Sequence, residues 1–327
     1  MAVLFRLALA CLVGLVAGTL AYADAGLWTR EGWKTDFSRA AIDLDEILSG
    51  GPPRDGIPSI DDPKFAPAAT ITTVGDREPV IRLALGDDIR AYPLQVLTWH
   101  EIVNDEIGGV PVAVTYCPLC NAAIVFDRRL DGRTLEFGTT GKLRNSDLVM
   151  YDRQTESWWQ QFTGEAIVGE LTGRRLELLA SRIVAFETFR TDNPDAPVLV
   201  PNDPGLRAYG RNPYAGYDSA ARPFLYRGDL PDNISPMARV VVVRTHDRPI
   251  IVSLDRVREQ GFERDGYRIR YLGGVASALD TAAIAKGRDV GTVRVTRNGK
   301  DVAHDITFAF VAHAFHPGID ILAQEAN

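Results

Sequence analysis

Apolar and polar positions alternate in short runs along most of the chain, with turn formers between the runs, and that period of two predicts strands. Strands are expected at Thr70–Val74, Val80–Leu85 and Ile89–Tyr92, the last two joined by Gly86-Asp-Asp88 as a hairpin. Pro93 to Val103 changes period: Leu94, Val96, Leu97 and Ile102 fall on one face of a short helix. Gly108-Gly109 then turns the chain into a strand carrying Val112, Val114 and Tyr116, and Ile124–Arg128 continues beyond Cys117-Pro-Leu-Cys120. Thr134–Gly138, Asp147–Tyr151, Trp158–Phe162, Ala166–Leu171 and Arg175–Leu179 extend the pattern as a meander, with turns at Asp131-Gly132 and Thr172-Gly173. Gly138-Thr-Thr-Gly-Lys142 lacks the spacing of a phosphate-binding loop and reads as a hairpin turn. The expected class is mainly β with a few short helices (α+β), built from antiparallel sheets.

The segments on either side differ. Residues 24–68 are polar and turn-rich, with a short helix expected at Asp43 to Leu48, and form an N-terminal extension. Residues 69–192 make a first β unit. Residues 193–236 combine many Pro, Gly, Asn and Asp with Tyr209, Tyr214, Tyr217, Phe224 and Tyr226, which suits an ordered insertion lying over the molecule better than a flexible linker. Residues 237–327 make a second β unit. Its run from Val240 to Val257 repeats the layout of Pro79 to Val96 (strand, polar turn, strand, short helix), and Asp265–Tyr271 answers Gly108–Tyr116. An internal duplication is expected, with Leu272-Gly-Gly-Val275 in the second copy where the first has its cysteines.

Composition adds a compartment. Arg6, the apolar run Leu7–Leu20 and Ala21-Tyr22-Ala23 make residues 1–23 a signal peptide with cleavage expected after Ala23. The protein is then exported, by this reading to the periplasm, and would touch a membrane only through an uncleaved signal segment. Loss of Arg6 leaves 35 basic and 43 acidic residues, a formal charge of −8 against −7 for the full chain. No Lys/Arg stripe offsets this, so a nucleic-acid partner is not expected; a metal ion or small molecule is. There is no nucleotide or flavin motif.

With the signal segment removed, Cys117 and Cys120 are the remaining cysteines. In an oxidising compartment such a pair forms a disulfide unless a metal or reductant holds it. Two thiolates three residues apart with an imidazole suit copper or zinc. The candidate ligands are Cys117, Cys120, His100 and His316, and Met150 is a further soft donor. Glu101, Asn145, Ser146 and Asp147 are placed with Met150 around the rim, although Asn, Ser and Asp in such a run also serve plain turns. Two alternatives stand beside metal binding: a structural disulfide, and thiol exchange of the glutaredoxin kind. The second is weakened because Asn121-Ala-Ala-Ile-Val-Phe126 reads as strand, whereas an activated thiol wants a helix N-terminus. His304, His313 and His246, in the turn of the second unit, are weaker candidates. Trp158 and Trp159 could stack a flat ligand or fill the core.

Four stretches together carry a family resemblance: Trp99-His-Glu-Ile-Val-Asn-Asp105, Thr115-Tyr-Cys-Pro-Leu-Cys120, Asn145-Ser-Asp-Leu-Val-Met-Tyr-Asp152 and Phe315-His-Pro317. The chain resembles the bacterial domain-of-unknown-function family 3179 over most of residues 70–317. That resemblance implies an exported protein and places the site at these motifs, but it implies no particular activity. Three functions therefore stay open: a metal-binding protein, a thiol- or metal-dependent enzyme in which His100 or Glu101 handles protons, and a binding or structural module with a Cys117–Cys120 disulfide.

Overall fold

In the computed structural model, which describes residues 25–245 and 247–323, strands dominate, and five short helices punctuate them. The signal segment and His246 lie outside the described residues. One five-stranded sheet runs in the order Ile47–Ser49, Phe137–Arg144, Asp147–Asp152, Trp158–Gln160, Glu165–Val168. A four-stranded sheet places Leu178–Leu179, Ala122–Asp127, Val110–Cys117 and Ile102–Ile107 side by side. A second five-stranded sheet contains the hairpin Pro79–Leu85/Asp88–Pro93, and Val198 opposite Ala91 makes a parallel pairing in it. Two smaller sheets follow, built on Arg239–Val243 and Tyr267–Leu272. All other strand pairings are antiparallel, as the alternation predicts.

The main hydrophobic cluster draws on both expected β units. It joins Ile81, Val114, Cys117 and Phe126 to Val240, Val242, Ile251, Phe308 and Phe310. The residues around the cysteines are therefore packed between early and late parts of the chain. Strand–strand–helix–strand–strand order does recur, from Pro79 to Cys117 and from Arg239 to Leu272. This is a match of element order; an internal duplication is not confirmed.

Several local expectations are corrected. Thr70–Val74 is not a strand: Ala68–Thr70 is a 3-10 turn in which the Thr70 hydroxyl donates to Pro67 O at 2.8 Å, and Ile71 and Val74 are buried loop residues. The helix expected at Asp43–Leu48 shrinks to the single turn Leu44–Glu46, capped by Asp43, because Ile47–Ser49 is drawn into a sheet edge against Lys142–Arg144. The helix expected to Val103 spans Leu94–His100 and stops at Glu101, whose φ of 58° starts a new strand at Ile102. Leu178–Leu179 leaves the meander to pair with Val125 and Phe126. Trp158 and Trp159 are both fully buried, which removes them as a stacking platform. Trp158 packs with Trp28, Trp33 and Phe37, and Trp159 donates its indole N–H to Asp152 at 2.9 Å.

The correction with most bearing on the site concerns Gly138–Lys142, which is no hairpin turn. It lies inside the strand Phe137–Arg144, whose pairing jumps from Thr139 opposite Met150 to Lys142 opposite Val149. Thr140 and Gly141 are the extra residues of a bulge. The true hairpin is the two-residue loop Asn145-Ser146, with φ of 52° and 65°. Positive φ at both positions is the signature of a type I′ turn, which matches the twist of the flanking strands.

Candidate metal centre

The two cysteines lie at a four-residue hairpin loop, Cys117 on the strand that enters it and Cys120 within it. Cys117 ends one strand opposite Ala122, and Pro118 to Asn121 cross between them. Cys120 N–H donates to Cys117 O at 3.2 Å, and Asn121 takes a φ of 51° to re-enter the sheet. The C-terminal part of the chain locks this loop: Thr307 Oγ1 and Phe308 N–H both donate to Cys120 O, at 2.8 and 3.2 Å. An i, i+3 spacing across so tight a turn puts both thiols on one side. Both point at the same acceptor, Ser146 O, at 3.9 Å from Cys117 Sγ and 3.5 Å from Cys120 Sγ.

Ser146 O lies in the I′ turn, so the next residue, Asp147, arrives beside the thiols. A ligand atom from each of Cys117, Cys120 and Asp147 lies within 4.8 Å of the other two. Among the described residues this is the group of His, Cys, Asp and Glu side chains that could hold a metal ion. The cysteines are free, and all three residues are buried. Asp147 Oδ2 accepts from Gln160 Nε2 at 2.6 Å and Phe162 N–H at 2.8 Å, whereas its Oδ1 is buried with no hydrogen-bond partner.

The electrostatics are those of an acid cluster without a counter-ion. Burial pushes both thiols up, Cys120 well above the ordinary range. It also raises Asp147 to about 6 and, with the neighbouring Asp147, Glu101 to about 8. Among the described residues no Arg, Lys or His side chain is bonded to any of these four groups. A reactive exchange cysteine needs a stabilised thiolate, so this environment disfavours the thiol-exchange alternative. A cation at this point would favour the deprotonated forms, since thiolates and carboxylate bind a metal without their protons and release them on binding.

Glu101 connects this cluster to a cavity. Its left-handed backbone is held by its own N–H donating to Leu97 O at 2.7 Å and its carbonyl accepting from Tyr116 N–H at 2.8 Å. The cavity, about 460 Å³, is bounded by the bulge (Thr139, Gly141, Lys142), the 50–57 segment and the insertion residues Tyr214, Tyr217 and Phe224. The insertion is tied down over the thiol loop. Tyr217 OH donates to Leu119 O at 3.1 Å and accepts from Phe224 N–H at 3.2 Å, and Ser146 Oγ donates to Phe224 O at 2.5 Å.

The two histidines expected as ligands go elsewhere. His100 Nδ1–H donates to Pro58 O at 2.8 Å, which leaves Nε2 to accept from the Tyr209 hydroxyl at 2.8 Å. Both ring nitrogens are thus engaged in fastening the insertion, and burial holds this imidazole below its ordinary pKa. His316 packs its ring against Phe162 at 5.9 Å, and its Nε2 is buried without a partner. Neither belongs to the thiol group. Met150 is buried in the same hydrophobic cluster as the cysteines, opposite Thr139. Asn145 and Ser146 form the turn that delivers Asp147, and Asp147 itself moves from the expected rim into the candidate metal-binding group. The aromatic roof of the cavity was not placed by sequence reasoning, since contact between residues 214–224 and the cysteine loop is a tertiary fact. The only signal was the density of tyrosines in a Pro/Gly-rich stretch.

A fold of several antiparallel sheets that delivers two buried thiols and a carboxylate to one point defines a protein with a candidate metal-binding group. Residues 54–319 match the family described as a protein of unknown function (DUF3179), and the chain belongs to that family. The comparison with curated proteins gave no match. The comparison with solved structures gave none either.

Proposed function

We propose that this is an exported, periplasmic metal-binding protein in which Cys117, Cys120 and Asp147 hold one ion, zinc in preference to copper. The observation that carries the reading is the convergence of two buried thiols on a buried carboxylate whose Oδ1 has no other partner. The donor set supports zinc, because a hard carboxylate oxygen beside two sulfurs suits a borderline ion better than soft Cu(I). The test is titration with zinc against a chromophoric chelator. The wild-type chain should take up one equivalent, while Cys117→Ser/Cys120→Ser and Asp147→Ala should each lose tight uptake; equal affinity in all three would end the proposal. Export is tested by N-terminal sequencing of the protein from the periplasmic fraction, which should begin at Asp24.

A second reading, a metal-dependent enzyme, is favoured by one further observation. Three protein ligands leave a four-coordinate ion one position short, as in catalytic rather than closed structural sites, and a cavity of about 460 Å³ is lined by the Glu101 carboxyl and by Leu119 and Leu148, the chain neighbours of Cys120 and Asp147. In that reading a bound ion supplies Lewis acidity, and Glu101 holds or accepts the proton of a group in the cavity. Turnover lost in Glu101→Gln with zinc uptake intact would favour it over a carrier.

A further inference from the structure

The chemistry of the cavity wall restricts what can enter. The wall holds Glu101, only 7 % exposed, whose carboxyl has no hydrogen-bond or ion-pair partner among the described residues. Its main-chain N–H and carbonyl are both engaged, so the side chain is held at the cavity by a fixed backbone. The wall also holds Tyr214, Tyr217 and Phe224, with Leu119, Leu143 and Leu148 completing an apolar lining. The one basic residue in the wall, Lys142, spends its ammonium on Glu31 at 2.9 Å. A buried carboxyl without a partner, aromatic side chains in the same wall and no free cation among the lining residues together describe a receptor for positive charge. The faces of aromatic rings attract cations, and desolvation strengthens that attraction.

We propose that this cavity binds a small organic cation, an amine or quaternary ammonium with an apolar body, its charge set against Glu101 and its body between Tyr214, Tyr217 and Phe224. The volume is that of a small-molecule site. The inference rests on the metal reading for its setting but not for its sign. With an ion bound, two thiolates and a carboxylate hold three formal negative charges, so a divalent ion leaves the group negative, and Glu101 adds to it once ionised by pairing with a cation. With the ion bound an anionic ligand meets repulsion, and in the metal-free protein, where burial favours the protonated thiols and Glu101, it finds no cation in the wall to pair with. A neutral alcohol of the same shape gains the apolar contacts but offers the carboxyl only a neutral hydrogen bond, about half as strong as a charge-assisted one.

The test is isothermal titration calorimetry on the mature chain, zinc-loaded and metal-free, with four probes of matched body: 2-phenylethylamine, its N,N,N-trimethyl form, 2-phenylethanol and 3-phenylpropionate. Both cations should bind at least tenfold more tightly than the alcohol, and the carboxylate should show no binding. Glu101→Gln should bring the amine down to the level of the alcohol. Equal binding of amine and alcohol, tightest binding of the carboxylate, or an unchanged preference in Glu101→Gln would overturn the proposal. Should that variant not fold, the comparison of the four probes on the wild type decides alone. The trimethyl probe has no lone pair, so its binding cannot come from coordination to an ion. Metal content read on the same samples separates the two claims. A cation preference in protein that takes up no zinc leaves this proposal standing without the metal reading, and stoichiometric zinc with no cation preference does the reverse.

Discussion

Asp147→Asn should stabilise the metal-free protein and weaken the loaded one, and this reversal of sign is the sharpest consequence of a counter-ion missing from the cluster. Burial raises the Asp147 carboxyl from 3.8 to about 6 in the fold. Because the folded state then holds its proton more tightly than the unfolded chain, stability falls as pH rises from about 4 to about 6, and the loss is complete above that window. At 1.36 kcal/mol per pKa unit, a shift of that size costs about 3 kcal/mol at neutral pH and above. Asparagine keeps an oxygen for Gln160 Nε2 and Phe162 N–H, while its amide nitrogen replaces the Oδ1 that has no partner. Neutral at every pH, it escapes the penalty. Urea unfolding with chelator and reductant at pH 4 and pH 8 reads this directly. The variant should match wild type near pH 4 and exceed it by about 3 kcal/mol at pH 8. With zinc in excess the order should invert, since an ion at a thousand times its Kd adds about 4 kcal/mol to the chain that binds it. A metal-free variant less stable than wild type at pH 8 would refute the reasoning, by showing that the ionised carboxylate is already compensated.

Three other outcomes follow from the same geometry. Gly141→Ala should destabilise the chain by several kcal/mol in urea unfolding, about what a major steric fault costs. Gly141 has a φ of +71°, and a Cβ there would lie 1.9 Å from Pro52 O, so the bulge and the 50–57 segment cannot both stay in place. His316→Leu should flatten acid unfolding. Burial lowers this imidazole to about 4, so the stability of the wild type is lost as pH falls from about 6.5 through about 4, by about 3 kcal/mol. The leucine variant, which gives up no hydrogen bond at Nε2, should lack that component in a comparison of pH 7 with pH 4. Tyr209→Phe removes the hydroxyl from His100 Nε2 and should cost about 1 kcal/mol, with faster proteolysis confined to the insertion; uniform loss across the chain would show that His100 does not fasten that segment.

How much of this was legible in the sequence depended on whether the signal was local. The alternation at Pro79–Pro93 and on both sides of the cysteines is local and gave strands where strands are. Gly138–Lys142 misled because Gly and Thr mark a bulge as readily as a turn, and only cross-strand pairing tells them apart. The site split the same way. A CxxC pair declares itself by spacing, but the third candidate ligand came from a hairpin about thirty residues on, which the I′ turn at Asn145-Ser146 aims back at the thiols. His100 and His316 were attractive by residue type and by their place in the motifs Trp99–Asp105 and Phe315–Pro317. Which atoms face them, Pro58 O and Tyr209 OH in one case and Phe162 in the other, is decided by packing between distant segments.

The most direct test of the metal centre is the metal content of the protein as the cell makes it, purified from the periplasm without a nickel column, by inductively coupled plasma mass spectrometry with thiol titration of the same sample. The account predicts one zinc per chain, two thiols that react only after chelation, and loss of the zinc in Cys117→Ser/Cys120→Ser. No metal and no titratable thiol would mean that the two cysteines are joined to each other, and the metal centre proposed here would be wrong.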